Sequence, residues 1–403
     1  MFEDWLGNEV TAESAATVQA IDDFVHGFVA YETKAVNILP AADADPDCAL
    51  ANAYAAMLYM FLESREAPAL ARPYLERAEA TVANATPREQ MATAAVRAWV
   101  DNDIPQAVRL CDETAAQHPR ELATVKAGQY HQFNLGNAAG MLRLGQAIMD
   151  ANQDLAYAHG VLAFGQEQCH LLDEAETSAR RAIELERKEP WAHHALAHVM
   201  LTQGRLEEGR EFMAEMQPTW TDLNSFMSTH NWWHTALFDI ALGDHAKALS
   251  IYDDHCWGLE MDYSQDQIGA VSLLARLELV GVDVGERWAE VANYLKPRIN
   301  DHVQPFLTMQ YVYGLARAGL DEADQMVSGV TEFARTAPEF QRTAWRDVCV
   351  PACRALRAHA IGDFATAVSD LGSISHRLEE IGGSHAQRDL FVQILADARR
   401  KAS

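Results

Sequence analysis

Hydrophobic and polar positions along this chain almost never alternate in the steps of two that mark a half-buried strand. Ala, Leu, Glu, Arg, Gln and Met dominate instead, and all of them lose little on entering a helix. Short polar or glycine-containing breaks recur: Asp101-Asn102-Asp103, Leu135-Gly136-Asn137, Gln203-Gly204-Arg205, Leu242-Gly243-Asp244 and Ile361-Gly362-Asp363. The pattern predicts helix, tight turn, helix as the repeating unit.

The breaks are regularly spaced. Asn102, Gly136, His170 and Gly204 stand 34 residues apart, the period of tetratricopeptide repeats. With each turn residue set as repeat position 15, position 20 reads Ala107, Met141, Ala175 and Gly209. A small side chain there lets the two helices of a unit approach, and Met141 is the exception. A fifth unit turns at Gly243, 39 residues on, so an extra loop is expected near Gln217-Pro218-Thr219-Trp220. A later unit turns at Gly362, with Ala367 five residues beyond. The expected fold is all-α: a tetratricopeptide-like superhelix, an α-solenoid of antiparallel helix pairs with a concave pocket. N-terminal helical pairs would fill 1–87, regular repeats 88–255, and further helical pairs 256–403. No hairpin of this kind buries its apolar face alone; stacking makes one core and leaves a stripe of each first helix to line the concave side.

The register places particular residues on that stripe. They are Lys126, Tyr130, Phe133 and Asn134 in the second unit, and Tyr157, Gly160, Phe164, Glu167 and Gln168 in the third. Trp191, His194, His198 and Leu201 follow in the fourth, then His230 and Trp233, with His234 beside the stripe. Ten of the 16 histidines fall between His131 and His255, a concentration that favours a site over scatter. His194/His198 and His230/His234 are each spaced i,i+4, so both members of a pair project from one helical face.

Imidazole nitrogens together with a carboxylate suit Zn²⁺ or Fe²⁺. A metal with an open position could activate water for hydrolysis. Three readings of His194, His198, His230, His234 and Glu167 stay open: a metal site, general acid–base or ligand-binding histidines without metal, and histidines that pack or cap. The spacing lacks the glutamate of HExxH, so no metalloprotease signature is present. Lys126, Tyr130, Tyr157, Phe164 and Trp233 are the expected ligand-contacting residues.

Charge narrows the partners. Lys+Arg number 32 against 58 Asp+Glu, a net charge of −26, so nucleic acid and anionic membranes are not expected partners. No apolar run reaches the length of a membrane span, and the acidic start MFEDWLGNEV does not read as a secretory signal. Six scattered cysteines without a CxxC suggest reduced thiols and a cytoplasmic protein. A homodimer is compatible with the sequence. Cys169-His170 are adjacent at a helix end and do not face each other as a dyad. Cys349 and Cys353 read as two buried thiols. In Gly382-Gly383-Ser384-His385-Ala386-Gln387-Arg388-Asp389 the glycines break a helix and Ser384 caps the next. His385, Arg388 and Asp389 then either contact an anion at the exposed amides or tie the C-terminal segment to the array.

These stretches carry a family resemblance. The chain resembles the tetratricopeptide repeat protein 38 family through Arg88-Glu89-Gln90, WAHHALAH at 191–198, HNWWHTAL at 230–237 and GDHAKALSIYDDH at 243–255. GVDVGERW at 281–288, Asp301-His302 and GGSHAQRDLF at 382–391 match as well, in order along nearly the whole chain. The resemblance implies an all-α tetratricopeptide-like solenoid and no dedicated reaction. It also implies that His194, His198, His230, His234, His255, His302, Arg388 and Asp389 are motif positions. The chain departs from the pattern at Met200, where the family often has Glu, and at His385, where it often has Asn.

Three functions follow as expectations. The first is a module binding a small molecule or a peptide segment against the histidine and aromatic stripe. The second is a hydrolase or lyase using the histidines with Glu167. The third is a scaffold whose partners dock on the opposite face.

Overall fold

The computed structural model describes residues 2–402. Its strand content among them is a two-residue antiparallel pairing of β1 (Phe2–Glu3) with β2 (Glu9–Val10) and one isolated bridge between Glu32 and Leu223. Everything else regular is helical, as the missing period-two pattern requires.

The chain forms two compact units, one of residues 2–132, 137–199 and 215–227, the other of 133–136, 200–214 and 228–402. In the first unit α1 (Ala15–Val29) and α2 (Ile38–Ala44) precede the pair α3 (Ala49–Met60) and α4 (Ala67–Thr81). The next pairs are α5 (Pro87–Val100) with α6 (Ile104–Gln117), α7 (Leu122–Asn134) with α8 (Ala138–Ile148), and α9 (Ala156–Gln168) with α10 (Leu172–Leu185). Helices α11 (Pro190–Gln203), α12 (Leu206–Met216) and α13 (Ser225–Ala241) give residues to both units. The second unit continues through α14 (His245–Ile251), α15 (Ser264–Leu279), α16 (Arg287–Leu295), α17 (Pro305–Arg317) and α18 (Glu322–Thr336). It ends with α19 (Glu339–Thr343), α20 (Val350–Ala360), α21 (Phe364–Ile374) and α22 (His385–Ala402). No helix of the described residues is long and apolar enough to cross a membrane.

The turn inside most of the pairs is one motif used repeatedly. Asn102, Gly136, His170, Gly204, Gly243, Gly281, Gly319 and Gly362 all take positive φ, between 59° and 88°. At each, the following amide N–H donates to a carbonyl five residues back, as from Asp103 to Ala98, Arg205 to Met200 and Leu320 to Leu315. This left-handed stop gives carbonyls at the end of the first helix their missing donor. An Asp or Asn side chain next starts the second helix: Asp103, Asn137 and Asp363 accept from the amides of Gln106, Gly140 and Thr366. The period of 34 is therefore real in three dimensions. The expected extra loop also exists, as a 3₁₀ turn at Gln217–Thr219 running into the segment bridged at Leu223.

Close helix approach explains the small residues at position 20. Ala107, Ala175, Ala248 and Ala367 are buried, and a Cβ on Gly209 would lie 2.2 Å from the Phe238 ring. Each unit has its own core. Ile21, Phe24, Leu50, Tyr54 and Val96 belong to the first; Val271, Leu274, Val312, Trp345 and Leu356 belong to the second.

Candidate functional site

Four of the predicted residues of the first unit stand close together. Helix α11 carries His194 and His198 one turn apart, with their Nε2 atoms 3.0 Å apart. Glu167, near the end of α9, presents Oε1 3.5 Å from His198 Nδ1. The Gln168 amide donates to its other oxygen at 2.5 Å. Both imidazoles and the carboxylate are at most 1% exposed. The rings around them hold their rotamers. Trp191 lies over His194 at 4.3 Å, and Phe164 sits 5.1 Å from His194 and 5.7 Å from His198. The arrangement is carboxylate, imidazole, imidazole in sequence, which orients a tautomer and can move a proton or hold a cation.

The neighbouring His193 has a different job. Its Nδ1 accepts from the Trp220 indole at 3.1 Å and its Nε2 pairs with the Arg187 carbonyl at 2.9 Å. Burial pulls its pKa down to about 4, so it stays neutral and anchors the 217–224 loop.

Lys126, Tyr130, Tyr157 and Trp191 also lie where the register puts them, but not on an open face. Residues near the N-terminus pack against this stripe. The Lys126 amine donates to the carbonyls of Phe28 and Val29 at 2.5 and 3.3 Å, at the end of α1. The Tyr157 hydroxyl pairs with His26 Nε2 at 3.2 Å, and Trp5 meets the Tyr157 ring edge-on at 6.5 Å. Lys188 and Lys34 both hold Glu32. Tyr130 donates to Glu63 at 2.8 Å. A stripe read as free for a ligand is thus partly filled by α1 and the segment after it.

Tyr31 is the residue sequence reasoning missed. It takes φ 58°, a left-handed conformation that is strained for a bulky side chain. Its ring covers the Lys126 ammonium at 3.1 Å and stacks toward Trp191 and Phe226 at 5.1 and 5.8 Å. No short motif announces such a turn. Glu189 was also missed, although a Glu-Pro pair opening a helix is a legible start. It is buried, caps α11 by accepting from the Ala192 amide, and faces Gly160, where a Cβ would lie 2.9 Å from its carboxylate. Burial raises the Glu189 pKa to about 8. Burial likewise pulls Lys126 well down, while Glu189 opposes that shift.

The second unit holds the other histidine pair. His230 lies parallel to Trp233 at 5.3 Å and edge-on to His234 at 4.9 Å. His234 and Trp233 are fully buried, and the Arg276 guanidinium lies 5.7 Å from the Trp233 ring. His255 stacks on Trp232 at 3.7 Å, and His302 packs beside Phe333 and Trp345. The Gly-Gly segment forms the capped helix start expected of it. Ser384 and Gln387 exchange hydrogen bonds, Arg388 donates to the Gly383 carbonyl and lies 3.3 Å from His385, and Asp389 pairs with buried Arg276 at 3.1 Å. His385, Arg388 and Asp389 therefore have partners within the fold. Cys349 and Cys353 are buried thiols 3.8 Å apart.

No family model matches the sequence. Among solved structures, the chain is similar to one titled "Crystal Structure of the Yeast Tom70", at 13% identity over 88% of this chain and 91% of that one, with a TM-score of 0.41. It is also similar to "Crystal Structure of P58(IPK) TPR Domain at 2.5 A", at 11% identity over 79% and 98%, with a TM-score of 0.23. Both superpositions are too loose to bear on function, and the repeat assignment stands on the chain's own turns.

Proposed function

We propose that this helical-repeat protein is a binding module that takes a small molecule or a peptide segment against the first-helix stripe of its first unit. One observation carries the reading. A continuous row of rings runs from half-buried Phe226 through Tyr31 and Trp191 to fully buried His194 and His198. Apolar walls that lead to a few oriented polar groups are the usual composition of a ligand site. Phe164 flanks the row, Tyr130 and Tyr157 enter the proposal through their repeat positions, and Lys126 with Glu189 adds one amine and one titratable acid. By repeat position Trp233 and His230, with His234 beside them, are a separate candidate contact of the second unit. The tetratricopeptide repeat protein 38 resemblance belongs to the proposal too and implies no reaction. So does a cytoplasmic location, which suits six cysteines that are all free thiols.

The test is a thermal-shift screen of the full chain against metabolites and short peptides, followed by calorimetry on the hits. Binding that weakens at least tenfold in Trp191→Ala and is unchanged in His385→Ala supports the site. Binding indifferent to both Trp191→Ala and His194→Ala removes it.

A second reading is a hydrolase or lyase, favoured by the buried Glu167–His198–His194 row. Within it His194 or His198 is the base and Glu167 the positioning residue. His230 and His234 remain candidates by sequence spacing. Turnover of any ester, amide or phosphoester found by substrate screening should collapse together in His194→Gln and His198→Gln. Turnover that survives both variants leaves the binding module as the sole reading.

A further inference from the structure

We propose that His194 and His198 chelate one first-row divalent transition-metal ion through their Nε2 atoms, with Glu167 as the carboxylate that fixes the His198 ring. This deepens the histidine reading above by naming its cofactor. Its readout is the ion itself, so it stands or falls independently of any organic ligand.

Two features of the site point to an ion. The first is that the two Nε2 atoms lie 3.0 Å apart and share one hydrogen bond, so an ion that displaces the shared proton meets both lone pairs. Two imidazole nitrogens each ~2.0–2.1 Å from one ion and that far apart subtend about 91–97° there, near the angle of neighbouring positions in a six-coordinate shell. The i,i+4 spacing on α11 delivers both nitrogens from one rigid helix, so little order is lost on binding.

The second is the role of Glu167. Its carboxylate faces Nδ1 of His198, the nitrogen away from the chelating edge, at 3.5 Å. A carboxylate on the distal N–H sets the tautomer so that the Nε2 lone pair faces the metal, and it raises the basicity of the ligand. The Gln168 amide holds that carboxylate in place at 2.5 Å.

Imidazole and carboxylate suit Fe²⁺, Co²⁺ and Zn²⁺ and disfavour Ca²⁺ and Mg²⁺, which take oxygen donors. Two protein nitrogens leave the remaining positions to water, to ligand heteroatoms or to further side chains. An ion so held would offer an open position at the buried end of the ring row.

The experiment uses the full chain, stripped with chelator and titrated with Co²⁺ while its visible absorption is followed. The expected result is saturable binding of one equivalent, lost in His194→Gln and in His198→Gln and about 10–100-fold weaker in Glu167→Gln, with unchanged helical circular dichroism. Absence of saturable binding by the unmodified chain overturns the proposal, and so does binding that both histidine variants retain. Should those variants not fold, X-ray absorption of the Co²⁺-loaded unmodified chain decides. Two or more imidazoles in the shell uphold the site, and fewer than two overturn it.

Discussion

Lys126 and Tyr31 face each other across the first unit, the ammonium 3.1 Å from the ring centre. The same ammonium donates to the carbonyls of Phe28 and Val29, the last residues of α1. An amine donating to two carbonyls at the end of a helix, with a π face over it, secures α1 to α7. Lys126→Met keeps the apolar stem and removes all three contacts. It should lower unfolding free energy by about 1–3 kcal/mol, the sum of two ordinary hydrogen bonds at about 0.5–1.5 kcal/mol each. Urea denaturation checks this; an unchanged midpoint would show that the tie contributes nothing.

Arg88 and Glu121 form a second tie. Both are at least 95% buried, and Glu121 also accepts from the Tyr54 hydroxyl at 2.5 Å. Removing only Arg88 strands a carboxylate without its counter-charge. Arg88→Met should destabilise by about 3–5 kcal/mol, and Arg88→Met with Glu121→Gln should recover part of that. Equal losses in the single and double variants would contradict the stranded-charge account.

The turn glycines separate two effects. Gly319 has φ 73° and open space where a Cβ would go. Gly319→Ala should cost about 1–2 kcal/mol from backbone strain. Gly209 lies inside a helix, and its missing Cβ is replaced by the Phe238 ring. Gly209→Ala should cost about 1–3 kcal/mol through overpacking, despite alanine's better helix propensity. The decisive comparison adds Phe238→Leu: it should rescue Gly209→Ala and leave Gly319→Ala unrescued.

Glu189 predicts a pH dependence. Burial lifts its carboxyl from an ordinary 4.5 to about 8. Between those values this carboxyl holds its proton more in the folded chain than in the unfolded one, so its contribution to stability falls as pH rises through that window, by at most about 1.4 kcal/mol per pH unit. Lys126, Glu186, Tyr31 and Tyr157 are the ionisable groups coupled to it. Glu189→Gln should flatten the profile and gain on the parent chain toward pH 8. Denaturation midpoints at pH 5, 6, 7 and 8 measure it, and parallel profiles would rule the assignment out.

Local features of this fold were readable and remote ones were not. The turns at Asn102, Gly136, His170 and Gly204 were legible because one left-handed residue and one cap are written in adjacent letters. The His194/His198 face was legible because helical spacing is local. The docking of α1 against Lys126 and Tyr157 was hidden, since it joins residues about a hundred positions apart with no shared periodicity. Tyr31 was hidden for a different reason. Its left-handed backbone contradicts its own preference and is imposed by its surroundings. Sequence reading therefore found the imidazoles and missed what stands over their neighbours.

The two-residue stop has one more consequence where the second helix follows it at once, at Asn102, Gly136, His170, Gly204, Gly243 and Gly362. There its left-handed residue and the amide after it leave no place for an added amino acid. The change of spacing after Gly204 is taken up in a link between successive pairs, at Gln217–Thr219 and the segment beyond. Growth and shrinkage of this chain are thereby channelled to one kind of junction. An insertion there lengthens a loop and leaves the pairing of every hairpin intact, so affinity tags, reporter domains and new binding loops belong at the junctions between pairs and not at the glycines.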